Sequence, residues 1–181
     1  MTRRLWGTIG GDDLARCVEK ADRHIAHTRG YANVGNVYDA KRIEANPTQH
    51  RTFQTCAYVA ELAVANYIGA DYDWDNYDRR DYDVAGYLEV KANVTTSVTT
   101  PSRLILRGND KAGAPVVLVR TTPIWPEGNQ EKPLAAVCFG LVGWAWVDDV
   151  RVPEYRRDDC WQMPLYRLEP IKTIPTKEIA L

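Results

Sequence analysis

The chain has 181 residues, a formal net charge of −1 and a hydrophobic share of 45%. This length fits one domain with a core of its own, and the composition excludes a disordered or fibrous protein. The near-neutral charge excludes binding of nucleic acid through a general basic surface, so a nucleic-acid role requires a local site. We therefore expect residues 1–181 to form a single domain.

Cysteine usage and hydropathy indicate the compartment. The cysteines lie far apart, without the spacing of a zinc site, at Cys17, Cys56, Cys138 and Cys160. We expect them to be reduced thiols in a cytoplasmic protein. No window approaches about 18 apolar residues, and the basic N-terminal residues do not lead into an apolar stretch. Neither a membrane span nor a secretion signal is expected.

Two amphipathic helices are predicted in the first half of the chain. Apolar residues recur at three- and four-residue intervals from Asp12 to Thr28 and again from Thr48 to Ile68. Gly69 follows the second segment, where glycine commonly ends a helix. Residues 1–45 are accordingly expected to be an N-terminal helical segment.

A polar loop and a strand pair are predicted next. Asp and Tyr dominate from Asp71 to Asp83, a composition typical of an exposed loop. Residues 82–85 and 87–94 flank Gly86 and alternate apolar with polar side chains. A tight antiparallel turn centred on Gly86 is the simplest interpretation.

A short helix is predicted after this strand pair. Thr100 followed by Pro101 favours a helix start, and residues 103–107 precede a glycine. Arg103 and Arg107 would then lie one helical turn apart. They are candidates for contacts with a phosphate backbone, and a pair of surface arginines is an equal alternative.

Three further strands are predicted in the second half. Residues 116–121 form a continuous apolar run, typical of a strand covered on both faces in the centre of a sheet. Residues 134–147 predict a strand with a bend or bulge at Gly140 and Gly143. Residues 160–168 predict a last edge strand interrupted by Pro164.

The residues from Asp83 to Lys91 are the candidates for chemistry. Glu89 and Lys91 are two apart, so both point to one face of a strand, while their neighbours on the other face are apolar. A turn centred on Gly86 places Asp83 opposite Glu89, with β-carbons about 5 Å apart. Two carboxylates at this separation are able to hold one cation beside a lysine.

This combination of groups suits the hydrolysis of a phosphodiester bond. A divalent cation on oxygen ligands, Mg²⁺ or Mn²⁺, neutralises the phosphate and acidifies a bound water. Lys91 supplies a second positive charge. It either orients and deprotonates the attacking water or stabilises the negatively charged transition state.

Asp83, Glu89 and Lys91, together with Glu61 on the preceding helix, resemble the motif of the PD-(D/E)XK nuclease superfamily. The resemblance covers the central part of the chain and implies a restriction-endonuclease-like α/β fold, a mixed β-sheet flanked by helices. It implies a Mg-dependent phosphodiesterase acting on nucleic acid, with DNA the expected substrate. Glu61 would assist the metal or the water from its helix. Similar small proteins occur in bacteriophage genomes, which implies host cytoplasm as the location.

The sequence departs from the family motif at one position and leaves one ligand open. Tyr82 stands before Asp83 where the motif has proline. Asp81 is the alternative first carboxylate, because a different turn register would bring it opposite Glu89 instead.

Two alternatives to a self-sufficient nuclease remain. The near-neutral charge and the many aromatic residues also fit a catalytically silent protein of the same fold that binds or inhibits a partner. The second alternative is a nuclease domain that works only as a subunit. Oligomeric state, strandedness and sequence preference are not predicted.

Overall fold

The structure is a computed structural model that describes residues 5–31, 46–75, 82–95, 103–108 and 110–175. Within these residues the architecture is mixed α/β, with three helices and two sheets, and the predicted α/β class is confirmed. The strands are β1 (Trp6–Gly10), β2 (Glu89–Val94), β3 (Arg103–Leu106), β4 (Pro115–Ile124), β5 (Ala136–Trp146), β6 (Arg156–Arg157) and β7 (Cys160–Pro164). The helices are α1 (Gly11–Tyr31), α2 (Pro47–Ile68) and α3 (Val147–Val150).

Both long helices agree with the periodicity of the sequence. Helix α2 begins after Asn46, whose side chain accepts a hydrogen bond from the Gln49 N–H. It ends at Gly69, which adopts a left-handed conformation with φ of 76°. The two long helices match the predicted boundaries to within a few residues, and α3 was not predicted. Nowhere in the described ranges is a helix both long and apolar enough to cross a membrane.

The first strand was not predicted. Residues of β1 pair antiparallel with β5, from Trp6 opposite Gly140 to Gly10 opposite Ala136. The N-terminal segment expected to be helical over residues 1–45 therefore has a strand before its helix. The five-residue strand is mostly exposed and carries two glycines, so it lacks the apolar alternation that predicts strands.

The larger sheet places β4 between two neighbours, as predicted for an apolar run. The strand order is β1-β5-β4-β2, with β4 antiparallel to β5 and parallel to β2. Val117 and Val119 pack with the residues of α1 and α2 on one face. Val116 and Leu118 pack on the other face with the smaller sheet, whose order is β3-β7-β6. Strand β4 is thus covered on both faces.

The predicted irregularity in β5 is confirmed. Leu118 lies opposite Gly143 while Val119 lies opposite Leu141, so one residue of β5 is extra at this point. A β-carbon on Gly143 would lie 2.8 Å from the carbonyl oxygen of Glu169. Glycine is required there because the chain segment at Glu169 crosses against the strand.

The short helix predicted over residues 103–107 is instead strand β3. Leu104 and Leu106 are fully buried, while Arg103 and Ile105 are exposed, which is the two-residue period of a strand. Its helix-start signal, Thr100 and Pro101, falls outside the described residues. Strand β7 ends at Pro164, and residues 165–167 form a 3-10 helix where the predicted strand over residues 160–168 would have continued. It is not an edge strand, because it lies between β3 and β6.

The turn at Gly86 is confirmed, but the strand pair around it is smaller than predicted. Ala85 and Gly86 both have positive φ angles, of 56° and 74°, and only the bridge between Val84 and Leu88 joins the two arms in the described residues. Strand β2 pairs along its length with β4, in parallel. The backbone pairing of β2 is therefore with β4, and the residues before the turn contribute only the bridge at Val84.

Candidate active site

The turn before β2 sets the position of the first carboxylate. The antiparallel bridge between Val84 and Leu88 makes Asp83 and Glu89 the next opposed pair. Asp83 Oδ2 accepts a hydrogen bond of 2.7 Å from the Val90 N–H. This bond ties the carboxylate of Asp83 to the start of β2, beside Glu89.

Glu89 and Lys91 belong to a chain of alternating charges. Lys91 Nζ lies 2.5 Å from Asp110 Oδ1 and 3.8 Å from Glu89 Oε2. Lys111 Nζ lies 2.5 Å from Glu89 Oε1. The side chains of Glu89 and Asp110 are only 5% and 4% exposed, so both carboxylates depend on these cations.

The connection between β3 and β4 that carries Asp110 and Lys111 is held from both sides. Asp110 Oδ2 accepts a hydrogen bond of 2.6 Å from the Arg107 N–H. The guanidinium of Arg151 donates to the carbonyl oxygens of Arg107, Gly108 and Asp110. These bonds fix the backbone from which both side chains reach β2.

Glu61 lies in a second buried cluster with a lysine and a tyrosine. Tyr72 Oη donates to Glu61 Oε2 at 2.7 Å. Lys20 Nζ donates to Tyr72 Oη at 3.0 Å and to the Asp73 carbonyl at 2.7 Å, and lies 3.8 Å from Glu61 Oε2. The segment from residue 71 was expected to be an exposed loop, and Tyr72 is the exception because its hydroxyl enters this cluster.

The carboxyl groups of Asp83 and Glu61 resist ionisation. Burial raises the pKa of Asp83 to about 6, with the charge of Glu89 adding to the effect and Lys91 opposing it. Burial and then the charge of Asp83 raise the pKa of Glu61 to about 8. Both values report negative charge crowded away from water. An added cation would relieve this crowding.

The two lysines respond to their surroundings in opposite directions. Burial alone would lower the pKa of Lys91, but the charges of Asp110 and Asp83 outweigh it, and the pKa lies above its ordinary value. Burial lowers the pKa of Lys20, with Glu61 opposing it. Lys91 is therefore held as a cation at the carboxylate cluster.

The structure brings Asp83, Glu89 and Lys91 together, whereas Glu61 makes its contacts in the separate cluster with Lys20 and Tyr72. Strand alternation puts Glu89 and Lys91 on the face of β2 opposite to Val90, and Val90 packs with α2. Glu61 comes from α2, on the other face of the sheet, and the charge of Asp83 contributes to its raised pKa. Asp81, the alternative ligand, lies outside the described residues.

The two candidate phosphate-contacting arginines are placed differently from the prediction. Arg103 is exposed on β3 and donates to Gln162 Oε1 at 3.2 Å. Arg107 follows β3, is exposed, and approaches the site through its backbone bonds to Asp110 and Arg151. Their spacing is that of a strand, not of one helical turn.

The side-chain donors at this site fit a divalent cation whose remaining coordination positions are taken by water or substrate. In the part of the chain that the structure describes, no three His, Cys, Asp or Glu side chains are grouped to hold a metal ion. Asp83 and Glu89 offer hard oxygen atoms, which Mg²⁺ and Mn²⁺ prefer. Mg²⁺ is commonly bound through one or two carboxylates, with waters and substrate phosphate completing its octahedron. Two carboxylates therefore suffice for this kind of site.

Comparison with known proteins gives no assignment. No family model matches the sequence, and neither a curated protein nor a solved structure matches it. The support for a function is the chemistry of the side chains described above.

Four residues of the site were missed by sequence reasoning: Lys20, Tyr72, Asp110 and Lys111. Asp110 and Lys111 lie in a turn-rich stretch whose contact with β2 depends on the parallel pairing of β2 with β4. Lys20 had one available signal. It falls on the otherwise buried stripe of α1, in phase with Cys17 and Ala21, where an unpaired lysine would be costly.

Proposed function

We propose that the chain is a metal-dependent nuclease that hydrolyses phosphodiester bonds of nucleic acid, with DNA the expected substrate. The observation that carries this proposal is the meeting of Asp83, before β2, with Glu89 and Lys91 on β2, while the charge of Asp83 also influences Glu61. The proposal includes a restriction-endonuclease-like arrangement of the mixed sheet and helices, in the manner of the PD-(D/E)XK superfamily.

Asp83 and Glu89 would hold Mg²⁺ or Mn²⁺. The bound cation would neutralise the phosphate and acidify the attacking water. The raised pKa values of Asp83 and Glu61 come first from burial and then from a neighbouring carboxylate, and they support a cation at this place because a bound divalent ion would favour the ionised carboxylates.

Lys91 is the residue proposed to act on the reacting groups. Its ammonium is held by Asp110 at 2.5 Å and stays within 3.8 Å of Glu89, so it lies beside the proposed ligand. A fixed positive charge at that position stabilises charge that develops on the phosphate in the transition state. With its pKa raised, Lys91 fits this electrostatic role better than that of a general base.

Glu61 supports the site from helix α2. Its carboxyl group accepts the Tyr72 hydroxyl, and its pKa of about 8 allows it to be protonated or ionised near neutral pH. A group poised in this range suits proton transfer to or from water near Asp83.

Cleavage assays test the proposal. Purified protein is incubated with supercoiled plasmid and with single-stranded DNA in Mg²⁺, in Mn²⁺ and with chelator. Metal-dependent cleavage is expected, with loss of at least about a hundredfold in Lys91→Ala. Lys132→Ala, at an exposed lysine paired with Glu127, is the matched control. Equal rates for Lys91→Ala and wild type would contradict the proposal.

A further inference from the structure

Among the residues that the structure describes, the cation nearest to Glu89 is Lys111, which the proposed reaction does not yet use. Lys111 Nζ lies 2.5 Å from Glu89 Oε1, whereas Lys91 Nζ lies 3.8 Å from Glu89 Oε2, the other oxygen of that carboxylate. Since the Glu89 side chain is 5% exposed, its charge requires a partner whether or not a metal is bound. Lys111 provides that partner in the metal-free protein.

Lys91 is not equivalent to Lys111 in this respect. Asp110 holds Lys91 at 2.5 Å and is itself fixed by the Arg107 N–H. The position of Lys91 therefore does not depend on Glu89. A metal that takes both oxygens of Glu89 leaves the pair of Lys91 and Asp110 in place.

Lys111 is able to move away while its backbone stays fixed. The carbonyl of the preceding residue, Asp110, is held by Arg151. The Lys111 side chain is 21% exposed and its ammonium lies 4.9 Å from the centre of the Tyr82 ring. A flexible lysine stem next to an aromatic face retains a favourable position for its charge when it leaves the carboxylate.

We propose that Lys111 occupies the metal's place at Glu89, is exchanged for the divalent cation, and then binds the phosphodiester. This inference rests on the proposed nuclease function. The charges favour it. Metal with Asp83 and Glu89 is neutral in sum, Lys91 with Asp110 is neutral, and the released ammonium matches the single negative charge of a phosphodiester. The exchange thereby couples metal binding to recognition of the substrate.

The exchange predicts opposite effects of one substitution on two ligands. Calorimetry with Mn²⁺ alone compares wild type, Lys111→Gln, Lys111→Arg and the control Lys132→Gln. Lys111→Gln should bind Mn²⁺ roughly tenfold or more tightly, since the competing charge-assisted bond is gone. Lys111→Arg should bind no more tightly than wild type. Calorimetry with dimethyl phosphate on Mn²⁺-saturated protein should then show weaker binding to Lys111→Gln.

Each outcome decides the inference. Unchanged or weaker Mn²⁺ binding by Lys111→Gln would overturn it, as would unchanged binding of dimethyl phosphate. Absence of Mn²⁺ binding in wild type and variant alike would remove the proposed function together with the inference. If Lys111→Gln does not fold, NMR of the lysine ammonium groups in wild type decides. The Lys111 signal should change on Mg²⁺ addition, and an unaffected signal would contradict the exchange.

Discussion

Asp110 Oδ1 lies 2.5 Å from Lys91 Nζ, nearer than the 3.8 Å between that ammonium and Glu89 Oε2 on the same strand. The lysine of the candidate site is therefore positioned by a residue from another part of the chain. Asp110 is buried and fixed through the Arg107 N–H, so it restricts where the Lys91 ammonium can go.

Replacing Asp110 with Asn should separate the position of Lys91 from metal binding. The amide still accepts the Arg107 N–H but no longer pairs with the ammonium. We expect kcat for cleavage to fall roughly tenfold or more, while Mn²⁺ affinity measured by calorimetry changes much less. Asp159→Asn, at an exposed position, is the control. A variant with normal kcat would show that Asp110 does not position Lys91.

Metal binding should stabilise the folded protein through Asp83. Saturation at about a hundred times the dissociation constant adds roughly 2.7 kcal/mol to the free energy of unfolding, which raises Tm by several degrees. Asp83→Asn should lose most of this shift in a thermal melt with Mg²⁺. The Asp159→Asn control should retain it. A full shift in Asp83→Asn would exclude Asp83 as a ligand.

The raised pKa of Glu61 predicts how stability depends on pH. Burial, and then Asp83, raise this pKa to about 8, whereas the unfolded chain releases the proton near 4.3. The stabilising contribution is present below the unfolded value and is lost as pH rises towards 8. Glu61→Gln cannot ionise and retains the Tyr72 contact. Its stability relative to wild type should rise between pH 5 and 8, by up to roughly 1.4 kcal/mol per pH unit.

Urea denaturation at several pH values measures this effect. Glu131→Gln, at an exposed position, controls for removal of a carboxylate elsewhere. A constant difference between Glu61→Gln and wild type across the range would contradict the raised pKa.

A side chain at position 143 should destabilise the protein by steric overlap, whereas one at Gly140 in the same strand should not. An added β-carbon would lie 2.8 Å from the Glu169 carbonyl oxygen and 2.8 Å from Leu168 Cβ. Gly143→Ala should lower the free energy of unfolding by about 1–3 kcal/mol in urea titrations. Gly140→Ala meets nothing within 4 Å and is the matched control. Equal stability of the two variants would contradict this, because it would mean that the segment at Leu168 and Glu169 moves to accommodate the added methyl group.

Patterns within one element were enough to predict the helices and the buried strand. The spacing of apolar residues and Gly69 predicted α2, and the apolar run at residues 116–121 predicted a strand covered on both faces. The opposition of Asp83 and Glu89 followed from the turn at Gly86. Each of these depends on residues close in the sequence.

Contacts between distant segments were not predictable in the same way. The parallel pairing of β2 with β4 brings Asp110 and Lys111 to the site, and no local pattern specifies it. The helix predicted at residues 103–107 failed for a different reason. The sequence carries both a proline signal for a helix start and the alternation of Leu104 and Leu106, and burial of these leucines against the smaller sheet favours the strand.

The most direct test of the account is an anomalous difference map from a crystal soaked in Mn²⁺. We expect one peak within coordinating distance of carboxylate oxygens of both Asp83 and Glu89, with the Lys111 ammonium displaced from Glu89. A map without a peak at these two residues, from a crystal in which the site is open to solvent, would contradict the assignment of this cluster as a metal-dependent nuclease site.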